Sequence, residues 1–299
     1  MTATEIQTRW GIAGALSFEE TPGGLIRAVI AGPNATGTVY LHGAHVTAWT
    51  PTSQQPVLYI SSRSRFERGM PIRGGVPVIF PWFGPRASGQ PGPMHGFARI
   101  VDWDVEGSQL RSDGAVELTL VLGPDDASRA LGYDSFLIRF RVAIGAALEM
   151  EMEVHNLSDE PLHFEEALHT YFSLANVDKT FVTGLEGTTY VDKTAAGVRK
   201  ESQGPIRFTR ETDQVHLNTG ATCEIHDPEG DRTLIVEKTG SQTTVVWNPW
   251  IEKNRNLVDM APDDWRSMCC LETANALDNA IVLPAGGVHK MGTNIRIGH

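Results

Sequence analysis

The sequence predicts an all-β fold, a large single-domain β-sandwich with few short helices. Three observations predict it: a long run of period-two alternation, a series of short candidate strands divided by turn residues, and little room for helix. The alternation occupies residues 136–154. Phe136, Ile138, Phe140, Val142 and Ile144 alternate with Leu137, Arg139, Arg141 and Ala143. After Gly145 and two alanines it resumes as Leu148, Met150, Met152 and Val154 against Glu149, Glu151, Glu153 and His155. Strand side chains point to opposite faces in turn, so this describes two half-buried strands joined by a tight turn; a helix would carry glutamates on every face.

Along the rest of the chain, strands are expected at 25–31, 38–49, 57–61, 116–122, 222–226, 233–237, 243–247 and 291–297, most of them separated by Gly, Pro, Asn or Asp clusters. Helix is expected only around 126–131 and 262–268. No repeat of sandwich-blade or solenoid length is visible. The stretch 69–96 is rich in Gly and Pro, but Val76, Val78, Ile79, Phe80, Trp82 and Phe83 interrupt it, unlike a solvated tether. It reads as a long structured loop, the kind of segment that carries function. Residues 1–299 are therefore expected to form one domain, with 1–23 as a peripheral N-terminal extension.

Composition narrows the function classes. The 299 residues, 41% hydrophobic and 20% charged, suffice for one large core. With 25 Lys plus Arg against 36 Asp plus Glu, the formal charge is -11, a field that repels nucleic acid and anionic membranes. Neither is expected as a partner, and a phosphate ligand would have to meet a local cluster of arginines. The first twenty residues lack a basic start followed by an apolar run, and no later stretch is apolar enough for a membrane span, so a cytoplasmic protein is expected. Cys223, Cys269 and Cys270 form neither a disulfide framework nor a CxxC pair, which suits a reducing compartment and small buried apolar roles. Nothing resembles a dedicated interface, and a monomer is expected.

Several devices are missing from the sequence: GxGxxG after a strand, GxxxxGK[ST], GxSxG and HExxH. The pairs His42 with His45 and His163 with His169 have no carboxylate or thiolate at a spacing that completes a metal site. No cofactor and no metal are expected. What remains is a set of polar residues in apolar or Gly-rich surroundings: Arg73, His95, Arg99, His169, Asp213 and Glu272. Taken alone, each has an ordinary structural reading. His169 can be a core histidine on a backbone carbonyl, Glu272 a strand-end carboxylate paired at the surface, the arginines salt-bridge partners, and Asp213 the end of a turn.

The segments HGAHVTAW, PIRGGVPVIFPWFGP, HGFAR, HTYF and VVWNPWIEK, spread from about Gly24 to near the C-terminus, resemble glucose-6-phosphate 1-epimerases of the aldose 1-epimerase superfamily. The resemblance implies a sandwich of the galactose mutarotase-like type with a cleft on one face. It implies that His169 and Glu272 are the catalytic pair and that Arg73, Arg99 and Asp213 contact substrate, with His95 in the same motif. The implied substrate is a small sugar phosphate. The implied chemistry is cofactor-free interconversion of α and β anomers: a carboxylate takes the anomeric hydroxyl proton while a histidine protonates the ring oxygen, and the roles reverse at ring closure. One position departs from the resembled pattern. Met94 stands where relatives carry Gln, and a thioether cannot donate a hydrogen bond.

Two rival readings stay open at this level. An epimerase for unphosphorylated aldoses would use the same pair without convergent arginines, and a carbohydrate-binding β-sandwich would need no acid and base at all.

Overall fold

Residues Phe136–Ile144 and Leu148–Asn156 form the antiparallel hairpin that the alternation predicts, with Ile144 opposite Leu148 at the turn and Phe136 opposite Asn156 at the far end. Its apolar row is buried while Arg139, Arg141, Glu149 and Glu151 stand on the solvated face. The hairpin lies within a nine-stranded antiparallel sheet, the back sheet. The computed structural model describes residues 1–298.

Facing the back sheet is an eight-stranded sheet, here the site sheet, whose order runs through Thr212–Leu217, Thr243–Asn248, Met268–Asn275 and Glu166–Leu168, with Tyr171–Ser173 also paired to Met268–Asn275. Its inner face contributes Leu168, Phe172, Val246, Cys269 and Leu271 to one large apolar core. Phe136, Phe140, Met152, Leu234 and Ile295 enter that core from the back sheet. A third, four-stranded sheet spans Leu16–Glu20, Ile26–Ala31, Ala35–Tyr40 and His45–Pro51 and adds Phe18, Ile30, Val39 and Trp49. Two antiparallel sheets joined through interdigitating apolar faces are a β-sandwich.

Several expected elements change. The expected strand 38–49 divides into two because Gly43 and Ala44 take φ of 73° and 48°, a left-handed turn that folds the chain back on itself. Segment 57–61 makes only isolated bridges, Leu58 to Phe172 and Ile60 to Gly74. The expected helix at 262–268 shortens to one 3₁₀ turn, Asp264–Ser267, and runs into strand Met268–Asn275. That strand is buried along its whole length, so it shows no alternation to read. Residues 1–23, expected as a peripheral extension, instead supply helix Ala3–Trp10 with buried Ile6 and strand Leu16–Glu20, whose Leu16 and Phe18 enter the core.

Candidate active site

The outer face of the site sheet carries the candidate residues. Directly opposite residues on antiparallel strands share a face, and the registers Asp213 to Trp247, Trp247 to Cys270 and Cys270 to Tyr171 set those four side chains in one row across the sheet. One step along, Leu168 lies opposite Thr273 and Tyr171 opposite Cys270, so His169 falls opposite Glu272. His169 lies in the two-residue break between strands Glu166–Leu168 and Tyr171–Ser173, and its Nδ1 lies 3.3 Å from Glu272 Oε1.

Their surroundings are apolar on two sides. On the same strand face Glu272 sits between Cys270, which belongs to a cluster with Tyr59, Tyr171, Trp247, Met260 and Met268, and Ala274, which belongs to one with Ile79, Phe83, Ala167 and Val245. Glu272 is 1% exposed and His169 7%. Burial, with Asp213 adding to it, pushes the Glu272 carboxyl well above its ordinary value. Burial, with Arg99 and Arg73 adding to it, pushes the His169 imidazole well below its own. Both shifts favour the uncharged form of the group. Although adjacent, they are not aligned for a hydrogen bond: His169 Nδ1 and Glu272 Oε2 are buried without partners. Buried hydrogen-bonding groups without a protein partner are costly in apolar surroundings.

The walls are aromatic. The His169 ring stacks on Tyr171 at 4.8 Å and meets Trp247 and His95 edge-on at 6.3 and 5.6 Å. His95 is held by a reciprocal pair of bonds: its N–H donates to the Gly84 carbonyl at 2.7 Å, and the Gly84 N–H donates to His95 Nδ1 at 3.1 Å. An accepting Nδ1 leaves the proton on Nε2, so His95 is a neutral imidazole with a donor to offer. Burial, Arg99 and His169 all push its pKa down.

The two arginines differ in a way the sequence did not reveal. Arg73 is committed: Nε donates to Asp259 Oδ2 at 3.1 Å, Nη2 is also 3.1 Å from that oxygen, and Nη1 donates to the Tyr171 hydroxyl at 3.0 Å. Burial opposes its charge, but Tyr171 and Asp259 outweigh burial and raise its pKa. The turn behind it depends on glycine. Gly74 takes φ +111°, and a Cβ there would lie 2.3 Å from the Tyr59 carbonyl oxygen. Among the described residues Arg99 has no carboxylate within salt-bridge distance; Nη2 donates to the Met94 carbonyl at 2.7 Å, and Nε is buried and unpartnered. Burial, with Arg73 nearby, lowers its pKa to about 10. Met94 thus contributes its backbone, while its side chain is 53% exposed.

All six residues expected at the site converge on this face. Asp213 stands in the row with Trp247, its carboxyl raised by burial against the pull of Lys193 and Lys253. Four more residues belong here: Tyr171, Trp247, Asp259 and Lys193. Lys193 is exposed, and its ammonium stands 5.0 Å over the Phe83 ring, close enough to act on His95, Asp213 and Glu272. Tyr171 was legible inside HTYF and Trp247 inside VVWNPWIEK; nothing in the spacing of Asp259 or Lys193 marks them.

Comparison with known proteins adds the following. A family model described as aldose 1-epimerase matches residues 28–296. Two relatives carry the name "Putative glucose-6-phosphate 1-epimerase". One, from Cenchrus ciliaris, is 32% identical over 89% of this chain and 83% of its own length. The other, from Salmonella typhimurium, is 34% identical over 83% of this chain and 82% of its own. The crystal structure of a "putative mutarotase" from Salmonella typhimurium superposes with a TM-score of 0.89 at 29% identity, covering 97% of this chain and 95% of that one.

Proposed function

The chain belongs to the aldose 1-epimerase family, and from that premise we propose that it interconverts the α and β anomers of aldohexose 6-phosphates, glucose 6-phosphate first among them, with His169 and Glu272 as the acid and base. The observation that carries the chemistry is the buried, adjacent, unbonded His169 and Glu272 pair. A cyclic hemiacetal has its ring oxygen and its anomeric hydroxyl on the same carbon, so an acid and a base acting on them must stand side by side.

In ring opening, the Glu272 carboxylate takes the proton from the anomeric hydroxyl, the C1 to oxygen double bond forms, the bond from C1 to the ring oxygen breaks, and that oxygen takes the proton of the His169 imidazolium. The open-chain aldehyde turns about C1–C2 and closes by the reverse transfers. At the halfway point the enzyme holds neutral His169 and protonated Glu272. That is the state the empty site favours electrostatically, with both groups shifted towards neutrality. Ring-form substrate needs the same proton moved from glutamate to histidine, a transfer between neighbours with no change in proton count. Trp247 and Tyr171 supply flat walls for the sugar ring, and Asp213 and His95 offer an acceptor and a donor to its hydroxyls.

For the phosphate, Arg99 and Lys193 are cations at this face without a carboxylate partner in salt-bridge reach among the described residues, and Arg73 adds an Nη1 edge beside them. The names borne by the two relatives favour this substrate. The commitment of Arg73 to Asp259 favours a second reading, in which unphosphorylated aldoses are turned over as well. The deciding experiment is anomer-exchange NMR on glucose 6-phosphate and glucose with wild type, His169→Ala and Glu272→Ala. Acceleration of the phosphate alone, lost in both variants, supports the proposal. Equal acceleration of both sugars supports the second reading, and no acceleration of either overturns the assignment.

A further inference from the structure

Cys270 is the third group in the buried corner where His169 and Glu272 meet, and anomer exchange gives it no task. It shares its strand face with Glu272 and lies cross-strand from both Trp247 and Tyr171. One donor atom each from His169, Cys270 and Glu272 lies within 4.8 Å of the other two, and all three residues are buried. Two of the converging groups carry buried atoms with no hydrogen-bond partner, Nδ1 of His169 and Oε2 of Glu272.

We infer that His169, Cys270 and Glu272 form a capture site for a thiophilic divalent cation, Zn²⁺ foremost, whose binding blocks anomer exchange by occupying the acid and the base. Imidazole, thiolate and carboxylate together are a zinc donor set, whereas Mg²⁺ and Ca²⁺ take oxygen alone. Zinc bonds of about 2.0–2.3 Å bring tetrahedral ligand atoms to roughly 3.5 Å apart, so the trio closes by about 1 Å, which side-chain torsions allow. Binding releases the thiol proton of Cys270 and the carboxyl proton of Glu272, while His169 already offers a neutral nitrogen. The complex of Zn²⁺ with one thiolate and one carboxylate carries no net charge, which an apolar site tolerates. Arg99 opposes the cation; the charge of Arg73 is balanced by Asp259. Protons compete for the two acidic ligands, so capture tightens as pH rises. The other cysteines cannot substitute: Cys269 faces the main core on the opposite side of the strand, and Cys223 belongs to the back sheet.

The test is an optical titration of the untagged full chain with Co²⁺, followed by displacement with Zn²⁺, which reads the site whether or not the substrate assignment holds. Wild type is expected to take up one Co²⁺ with a thiolate-to-cobalt charge-transfer band that Zn²⁺ abolishes. Cys270→Ala should lose the band, and its Zn²⁺ affinity should fall by roughly 100-fold or more, since even residues that only support a metal's ligands are typically worth 10–100-fold. His169→Gln should weaken binding similarly while keeping the thiol. Cys270→Ser, nearly isosteric, serves if the alanine variant does not fold, and thermal melts establish folding for each. Where anomer exchange is detected, Zn²⁺ should inhibit wild type and spare the Cys270 variant relative to its own zinc-free rate. A band that survives in Cys270→Ala, or cation binding with no thiolate band in wild type, overturns the inference.

Discussion

His169, in the break between strands Glu166–Leu168 and Tyr171–Ser173, stands against Glu272 on the strand that pairs with both, their nearest ring nitrogen and carboxylate oxygen 3.3 Å apart and not hydrogen-bonded. Their separation is set by the strand pairings on either side of His169, Leu168 with Thr273 and Tyr171 with Cys270. Glu272 lies on a strand buried along both faces, and His169 is anchored by its own backbone N–H, which donates to the Pro77 carbonyl at 3.0 Å. The electrostatics follow from the same placement, since two apolar clusters flank the glutamate and two arginines stand near the histidine.

Removing either member of the pair should slow anomer exchange by about 10²–10⁴-fold with little change in KM, the usual scale for a positioned acid or base. Glu272→Gln keeps the shape of the glutamate but cannot transfer its proton, so it should be as slow as Glu272→Ala. Saturation kinetics by exchange NMR or polarimetry checks this. A Gln variant with wild-type rate would remove Glu272 from the chemistry.

The active pair carries one proton, and a second can be added only by charging His169. Because that imidazole sits well below its ordinary 6.5, the acid limb of kcat/KM should lie below pH 6.5, with the rate level through the ordinary histidine range. Glu272 is raised above 4.5, and the alkaline limb marks loss of the pair's last proton. A pH profile in buffers that do not themselves catalyse mutarotation tests both limbs. An acid midpoint at or above 6.5 would contradict the depressed histidine.

Glu272→Gln should also stabilise the fold. In the unfolded chain the carboxyl ionises near its ordinary 4.5, whereas in the native state it stays protonated well above that. Between those two values the native state binds the extra proton, so native stability falls as pH rises, by about 1.4 kcal/mol per pH unit for one group. Glutamine has no such slope. The Tm advantage of the variant should therefore be absent at pH 4, grow as pH rises above the ordinary carboxyl value, and be visible in melts at fixed ionic strength.

Anion preference should divide between the two arginines. Arg99→Gln and Lys193→Ala are expected to raise KM for glucose 6-phosphate, by about 10–100-fold and about 3–10-fold respectively, judged from the strength of charge-assisted contacts buried and exposed, with little effect on glucose. Asp259→Asn frees the Arg73 fork and removes a negative charge beside it, so KM for the phosphate should fall several-fold. A parallel rise of KM for both sugars in the Arg99 variant would show that Arg99 serves the ring rather than the phosphate.

Gly74→Ala should cost about 2–3 kcal/mol or more of stability, because the residue holds φ +111° and the added methyl would meet the Tyr59 carbonyl at 2.3 Å. Chemical denaturation reads the loss. A neutral substitution would mean that the turn behind Arg73 has room to move.

Much was legible in the sequence because half-buried antiparallel strands announce themselves by alternation. The hairpin Phe136–Ile144 with Leu148–Asn156 was readable residue by residue for that reason. Strand Met268–Asn275 was not, because burial on both faces removes the alternation, and the 38–49 segment misled because two residues in left-handed conformation break it without a proline. Of the six expected site residues, Arg73, His95, Arg99 and His169 lie inside the resembled motifs, while Asp213 and Glu272 were expected only because the resemblance implies them. Asp259 and Lys193 were missed because their part in the site comes from loops brought over it by the fold, a long-range contact with no local pattern.

By itself the sequence determined the strand-rich architecture and the acidic field that leaves anion binding to local cations, since both rest on residue type and short-range periodicity; the candidate acid and base were implied only by the resemblance its motifs carry. Only the tertiary structure decided that His169 and Glu272 are neighbours, that burial between two apolar clusters drives both towards neutrality, that Arg73 is spoken for by Asp259 while Arg99 has no carboxylate partner in reach, and that Cys270 shares their corner. Proximity across the sheet and the dielectric around a group depend on which distant segments pack together, and no local stretch of chain contains that information.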